Sequence, residues 1–332
     1  MSSPIEVRLL TSGANWLRIG SMLGLGLTGY GGALPEGSSV SIHTMDTGYA
    51  SVHGMRLVGE GTYDFGMASP PWTAKAAADG VTAFGLTDRP HELRALCAFP
   101  HFDQLALTVR ADLGITSLRQ VFEEKIPLRI STGPTHLKHA LGWVMDLLLA
   151  EYGVSVEDIE AWGGSVSYGE RQLNFLEVTD GGLTGRAALL AEGKLDAVFD
   201  EGLMSKSWLE LTEAVPMTFL PIEDEVLSSL EAKYGARRAV IPAGRLPGVE
   251  TDIPTIDFAD WLLFCRADVD DELVFLMMQG LEAQLPQLET LFESQGIHKG
   301  LSEPIDLAKT WQNTELPLHP GAERFYRSRG YM

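Results

Sequence analysis

Two stretches carry residue types suited to holding an anion: Met45–Val58, MDTGYASVHGMRLV, and Asp64–Pro71, DFGMASPP. The first reads as a Gly/Ser/Thr turn opening a helix. The second is an acidic residue leading into a short apolar strand that ends in small residues, Ser69 among them. In an α/β sheet such segments leave backbone N–H groups and small hydroxyls at the mouth of a cleft. Two further sets could do chemistry. His136 and His139, in THLKH, have the i, i+3 spacing that puts both on one helix face and suits one metal ion. No HExxH pattern accompanies them and Lys138 lies between, so solvated or helix-N-terminal histidines stand as the alternative. Asp200 and Glu201 follow the apolar run of DAVFD, where α/β sites cluster; the alternative there is a cap for the helix in LMSKSWLEL. SGANW is not GxGxxG, GGSVSYGE lacks the GK[ST] ending, and no GxSxG occurs. Nucleotide binding through either glycine motif and a serine elbow are therefore rejected.

Composition narrows the partners. A chain of 332 residues with 45% hydrophobic residues buries a large core, and its length favours two domains. The formal charge of -20 argues against nucleic acid and anionic membrane surfaces, which reward Lys and Arg. A local nest of N–H groups can still hold a small anion in an acidic protein. Cys97 and Cys265 sit in apolar runs and read as two buried thiols. No apolar run reaches the ~18 residues of a transmembrane helix.

These groups must be positioned by alternating elements. Ile5–Thr11 reads as a strand, then SGANW, then a helix over Leu17–Leu27. Asn15 and Trp16 fall at that helix's start, where Trp16 either faces a cleft or packs under the helix. Val40–Met45 and Asp64–Ala68 read as strands flanking a helix in GYASVHGMRLVGEG, with Val52, Met55 and Val58 three apart. LRALCAF and Gln104–Arg110 are further strands. A second α/β unit follows, with strands at Pro127–Ser131, Asp196–Asp200 and Thr218–Pro221 and helices between. The phrase RAD after the strand at Gln104–Arg110 recurs after the strand in WLLFC, which suggests two chain crossings between lobes.

The order of elements, with SVxxxRLV at Ser51–Val58, DFGMA at Asp64–Ala68, LRAL at Leu93–Leu96, EGKLDAVF at Glu192–Phe199, IPAGRLPG at Ile241–Gly248 and PLHPGAERFYRSRG at Pro317–Gly330, resembles the TAXI-type solute-binding proteins of TRAP transporters over nearly the whole chain. That resemblance implies an α/β, two-lobe, periplasmic-binding-protein-like (type II) fold with a central ligand cleft and hinge strands. Lobe 1 would be residues 1–108 plus 258–332, and lobe 2 residues 109–257. The implied ligands are small carboxylates and amino acids, with no cofactor, and the implied partners are TRAP membrane subunits.

Carried across residue by residue, the family's ligand loops fall on Ser12, Asn15 and Trp16; on Tyr49, Ser51 and His53; on His101 after the LRAL strand; and on Thr132, Thr135 and His136. Asp200 and Glu201 stand where the family continues with apolar or small residues. Tyr168 and Glu170 would line the second-lobe rim, and His319 would dock the tail onto the first lobe.

Two readings of function follow. In the first, the lobes capture a small organic anion, close by a hinge motion that the ligand biases, and deliver it to a membrane partner. In the second, the chain is a cytoplasmic lyase or decarboxylase on the same fold, with His53, His101, Asp200 and Glu201 holding a metal or moving a proton. A ligand sensor that docks another protein ranks last. MSSPIEVRLL has neither a basic n-region nor an apolar h-region. The expected location is the periplasm if a signal peptide has been removed, and the cytoplasm if this N-terminus is native.

Overall fold

The computed structural model describes all residues except 1–2, 30, 46, 81–91, 134–138, 169–184, 204 and 295–300, and leaves out the side chains of 14 and 47–52. In chain order it contains β1 (Glu6–Ser12), α1 (Gly13–Thr28), β2 (Ser39–Met45), α2 (Thr47–Gly59), β3 (Phe65–Ala68), α3 (Pro71–Ala78), β4 (Leu93–Phe99) and β5 (Ala106–Arg110). Then come α4 (Leu118–Glu123), β6 (Arg129–Thr132), α5 (Ala140–Glu151), α6 (Val156–Ala161), β7 (Ser165–Tyr168), α7 (Gly185–Ala191) and β8 (Ala197–Asp200). The chain finishes with α8 (Lys206–Ala214), β9 (Met217–Phe219), α9 (Asp224–Tyr234), β10 (Arg238–Ile241), β11 (Ile253–Ile256), β12 (Trp261–Arg266), α10 (Asp271–Glu293) and α11 (Pro320–Arg329).

Two compact units result. One holds Met1–Phe102 and Ala259–Met332, the other Asp103–Phe258. The first passage between them falls before β5, which pairs on both edges with β8 and β9 of the second unit. On the first unit's side of the two passages, the Asp260 N–H donates to the His101 carbonyl at 2.7 Å. On the second unit's side, the Phe258 N–H donates to the Asp103 carbonyl at 3.0 Å.

The two units are built on one plan. The first sheet has the order β2-β1-β3-β12-β4 and the second β7-β6-β8-β5-β9. In each, one strand runs antiparallel to both neighbours: β12 against β3 and β4, β5 against β8 and β9. These are the strands that end in the repeated Arg-Ala-Asp, and in both the arginine folds back on the aspartate, Arg110 Nε to Asp112 at 3.0 Å and Arg266 Nε to Asp268 at 2.8 Å. A second clasp is also repeated. The Asp64 carboxylate accepts from the Arg8 backbone N–H at 2.8 Å and from Nη2 at 3.0 Å, while Asp64 N–H returns to the Arg8 carbonyl. Asp196 does the same with Arg129, at 2.9 Å from the backbone N–H and 2.6 Å from Nη2. Burial pushes the Asp196 carboxyl up, but the Arg129 bonds outweigh it and the group ends below its ordinary value.

Each unit has its own apolar core. In the first, α1 and α10 pack together through Ile19, Leu23 and Leu27 against Met277, Leu281 and Leu288, with Trp16, Phe65, Phe99, Phe325 and Tyr326 in the same cluster. In the second, Val198, Leu190, Trp208, Leu211, Phe219 and Ile241 form the cluster. Cys97 and Cys265 are both buried and unpaired, and burial raises both thiols, so neither is a ready nucleophile.

The tail belongs to the first unit. Leu318 bridges to Ala95 of β4, and the next residue, His319, is fully buried and caps α11 by accepting the Gly321 N–H on Nδ1 at 3.2 Å. Burial lowers the His319 pKa; Asp271, 3.7 Å from Nδ1, and the main chain of Val269 and Ala267 oppose that, and Arg94 adds to it. An unfolded histidine titrates near ~6.5. The unfolded chain therefore binds the proton at a higher pH than the folded one, and stability falls as pH drops from about 6.5 toward the folded value. His319→Asn, which can still cap, should show a smaller loss of urea midpoint between pH 7 and pH 5 than the parent chain; equal losses would contradict this account.

Candidate functional site

In both units the chemistry-bearing residues gather where parallel strands end and helices begin. In the first unit β1 runs into Ser12, then Gly13 with φ +54 turns the chain directly into α1. That left-handed backbone is open to glycine at little cost. Ser12 is 2% exposed and its Oγ has no hydrogen-bond partner among the described residues. Such an orphan costs stability where it stands.

The second unit repeats the arrangement with more charge. β6 ends at Thr132, 3% exposed, whose Oγ1 is likewise without a partner among the described residues. The neighbouring Ser131 Oγ accepts from Arg186 Nε at 2.8 Å, and the Thr132 carbonyl accepts from Arg186 Nη2 at 2.8 Å. Arg186 Nη1 donates to Asp200, which closes an ion pair. The other Asp200 oxygen accepts the Glu201 N–H at 2.8 Å. Asp200 thus ends β8 as the partner of an arginine and does not cap the next helix, whose N-cap is Ser205.

The turn beyond Asp200 is held from below. Asp103 is 1% exposed, and its carboxylate accepts the Gly202 N–H on both oxygens, at 3.0 and 2.9 Å, the Leu203 N–H at 3.0 Å, and its own neighbour Gln104 N–H at 2.9 Å. Trp208 Nε1 donates to the Glu201 carbonyl at 3.0 Å. Together they fix the main chain at 201–203, and with it the position of Glu201.

The remaining expected residues divide as follows. Trp16 is 7% exposed and belongs to the first unit's core cluster, so it packs under its helix instead of meeting a ligand. Asn15 accepts from Arg18 Nη1 at 2.7 Å. Tyr49 and Ser51 lie on α2, with side chains outside the described set, and His53 is half-buried on the same helix. Ser69 directly follows β3 and is half-buried. His101 stacks on Trp261 with ring centroids 4.4 Å apart. Thr135, His136 and Glu170 lie outside the described residues. Tyr168 ends β7 and is 41% exposed; burial and the nearby Asp146, Glu157 and Glu160 raise its phenol.

The pairing of His136 with His139 on one helix face fails at His139. It stands before α5 in extended backbone, φ -157 and ψ 144, and its Nδ1 caps the helix by accepting the Leu141 N–H at 3.1 Å. Among the described residues no group of three or more His, Cys, Asp or Glu is placed to hold a metal ion. Of the four residues in the catalytic reading, His53 and His101 belong to the first unit, Asp200 and Glu201 to the second.

Arg186 and Asp103 were not anticipated from the sequence. The one signal for Arg186 is a charge in the first turn of GRAALLA, a helix that is otherwise small and apolar. For Asp103 it is a single acid between the apolar runs CAF and LAL.

The chain is similar to several solved structures. One is a TctC solute-binding protein from Polaromonas, 15% identical, with 88% of each chain covered and a TM-score of 0.46. Another is MatC from Rhodopseudomonas palustris with bound malate, 13% identical, covering 98% of this chain and 97% of that one, TM-score 0.47. A third is PhnD1 from Prochlorococcus marinus in complex with methylphosphonate, 11% identical, covering 99% and 98%, TM-score 0.42. No described helix is long and apolar enough to cross a membrane. The NMT1-like family matches residues 23–330, nearly the full length, and the chain belongs to that family.

Proposed function

We propose that this protein binds a small organic anion, a carboxylate or an amino acid, where its parallel strands end and its helices begin, and that it serves as the solute-binding component of a TRAP transporter of the TAXI kind. On this reading it works in the periplasm and passes its ligand to membrane subunits. The carrying observation is the pair of buried hydroxyls, Ser12 Oγ and Thr132 Oγ1, each at the end of a parallel strand and each without a partner among the described residues. Donors left unpaired in a dry setting gain most when a ligand oxygen arrives.

The same observation supplies a test with two opposite signs. Ser12→Ala and Thr132→Val each remove an unsatisfied polar group, so each should leave thermal stability unchanged or raise it by about 1 kcal/mol. Each should also weaken ligand binding on the order of 10-fold, read by calorimetric titration. Variants that bind as well as the parent chain would count against the reading. Variants that bind less well only because they are less stable would do the same.

A further inference from the structure

The outer edges of the two five-stranded sheets belong to β2 and β4 in one and to β7 and β9 in the other. The β4 edge is covered by the tail: the Ala95 N–H donates to the Pro317 carbonyl at 2.9 Å, the His319 N–H donates to the Ala95 carbonyl at 2.9 Å, and the Ala98 N–H donates to the Thr310 carbonyl at 2.7 Å. β7 and β9 are short, at four and three residues. β2 is different. It runs for seven residues in unbroken register with β1, and none of the seven is buried. It has no proline, no lysine and no bulge, the devices that keep an exposed strand from pairing with another chain.

The free side of β2 follows from its bonds. The Ser39 N–H donates to the Ile5 carbonyl at 2.9 Å, and the His43 carbonyl accepts from Thr11 Oγ1 at 3.3 Å, so the odd-numbered residues face β1. Alternation along the strand turns the N–H and C=O groups of Val40, Ile42 and Thr44 outward. No described residue pairs with that side. The surface continues onto α1. A Cβ on Gly20 or Gly24 would lie 3.5 Å from Ile42, whereas one on Gly26 would meet Gly280 of α10. Leu17 and Ser21, seven and three residues before Gly24, share its flank and turn away from Gly26. Leu17 and Leu25 are 38% and 51% exposed. The Ser21 hydroxyl between them is occupied, donating to the Leu17 carbonyl at 2.8 Å.

We propose that β2 and this flank of α1 form the interface of a two-fold dimer with a second copy of the chain. β2 pairs antiparallel with its equivalent about Ile42. Ile42 then exchanges both backbone bonds with Ile42 of the second copy, and Val40 of each copy does so with Thr44 of the other. The helices follow from the strands. Helices over neighbouring strand pairs stand two strand spacings apart, about 10 Å, which is within the ~8–10 Å of helix packing. Two steps of sheet twist turn them by about 40–50°, close to the ~50° at which i, i+4 ridges interlock. Leu17, Ser21 and Leu25 are such a ridge, and an axis at Ser21 sets Leu17 of each copy against Leu25 of the other. Ile42 reaches both Gly20 and Gly24, so it lies level with the residues between them, Ser21 included, and one axis serves strand and helix alike. Charge also selects a second copy. Two chains of net charge -20 repel each other, and α1 and β2 carry no acid; their one charged side chain is Arg18.

Sedimentation equilibrium of the full chain over a range of concentrations tests this. The average mass should climb from one chain toward two. Amide exchange at Val40, Ile42 and Thr44 should slow as concentration rises, while Ser41 and His43, which face β1, should not respond. Leu25→Glu sets an acid against Leu17 of the other copy and should weaken the dimer on the order of 100-fold, with the thermal midpoint of the single chain unchanged. Thr44→Pro removes an outward N–H that the single chain does not use, and should weaken it about 10-fold. Adding Leu17→Lys to Leu25→Glu places opposite charges across the axis and should recover about 10-fold or more, which a general surface effect would not do. A parent chain that stays single at every concentration overturns the proposal, even if another protein binds this edge. A dimer whose affinity these substitutions leave unchanged, or whose exchange at Val40, Ile42 and Thr44 ignores concentration, overturns it too. Should Thr44→Pro not fold, Leu25→Glu and the double variant, at positions exposed in the single chain, decide the matter.

Discussion

Asp103→Ala should destabilise the second unit by about 3 kcal/mol or more, the largest loss expected of a single polar side chain here. The carboxylate is buried and serves three backbone donors, Gln104, Gly202 and Leu203. Truncation leaves those donors without an acceptor in a site closed to bulk water, and a buried unmade bond costs about 1–3 kcal/mol each before relaxation. Asp103→Asn keeps one acceptor oxygen and should fall between the two. The effect is local in origin. Amide exchange at Gly202 and Leu203 should rise in both variants, in the same order as the loss of urea midpoint. Ligand affinity should fall too, since the turn that Asp103 holds begins at Asp200 and Glu201. A variant with the parent's midpoint and exchange rates would show that the turn is held by something else.

Gly26→Ala should cost the first unit about 2 kcal/mol or more, while Gly280→Ala should be close to neutral. These glycines face each other where α1 crosses α10. A Cβ on Gly26 would lie 2.3 Å from the Gly280 carbonyl oxygen and 2.6 Å from its carbon, both backbone atoms that no rotamer change can move. The helices must part, and they do so along the Leu23, Leu27 and Leu281 seam of the core. A Cβ on Gly280 would meet Gly26 at 3.1 Å, a gap that a shift of a few tenths of an ångström relieves. Alanine gains roughly 1 kcal/mol over glycine inside a helix, which offsets the milder clash and not the severe one. Thermal unfolding of the two variants checks the order; equal losses, or a larger loss for Gly280→Ala, would contradict the crossing geometry.

Much of this plan is legible in the chain. Strands and helices announce themselves by period, and α2 lies where the spacing of Val52, Met55 and Val58 puts it. The Arg-Ala-Asp echo at 110–112 and 266–268 looks slight in sequence, yet it marks the two antiparallel strands that hold the same place in each sheet. The matched aspartates of DFGMA and DAVFD are visible too, once their arginine partners are known. What stays hidden is pairing at a distance. Arg186 meets Ser131 from 55 positions along the chain, and Asp103 meets Gly202 from 99 positions along it. No local period encodes either contact. The i, i+3 histidines mislead for a related reason: spacing implies a shared face only inside a helix, and His139 stands at its threshold. Trp16 is ambiguous by chemistry, since an indole serves a ligand face and a core equally well, and the first unit's core takes it.

The reading as a solute-binding protein stands most directly on one measurement: calorimetric titration of the intact chain with small carboxylates and amino acids, followed by recovery of the bound compound and its identification by NMR. The account predicts saturable one-to-one binding of at least one such anion, weakened by Thr132→Val, with the compound recovered unchanged after prolonged incubation. No binding across the panel, or recovery of a chemically altered product, would contradict it.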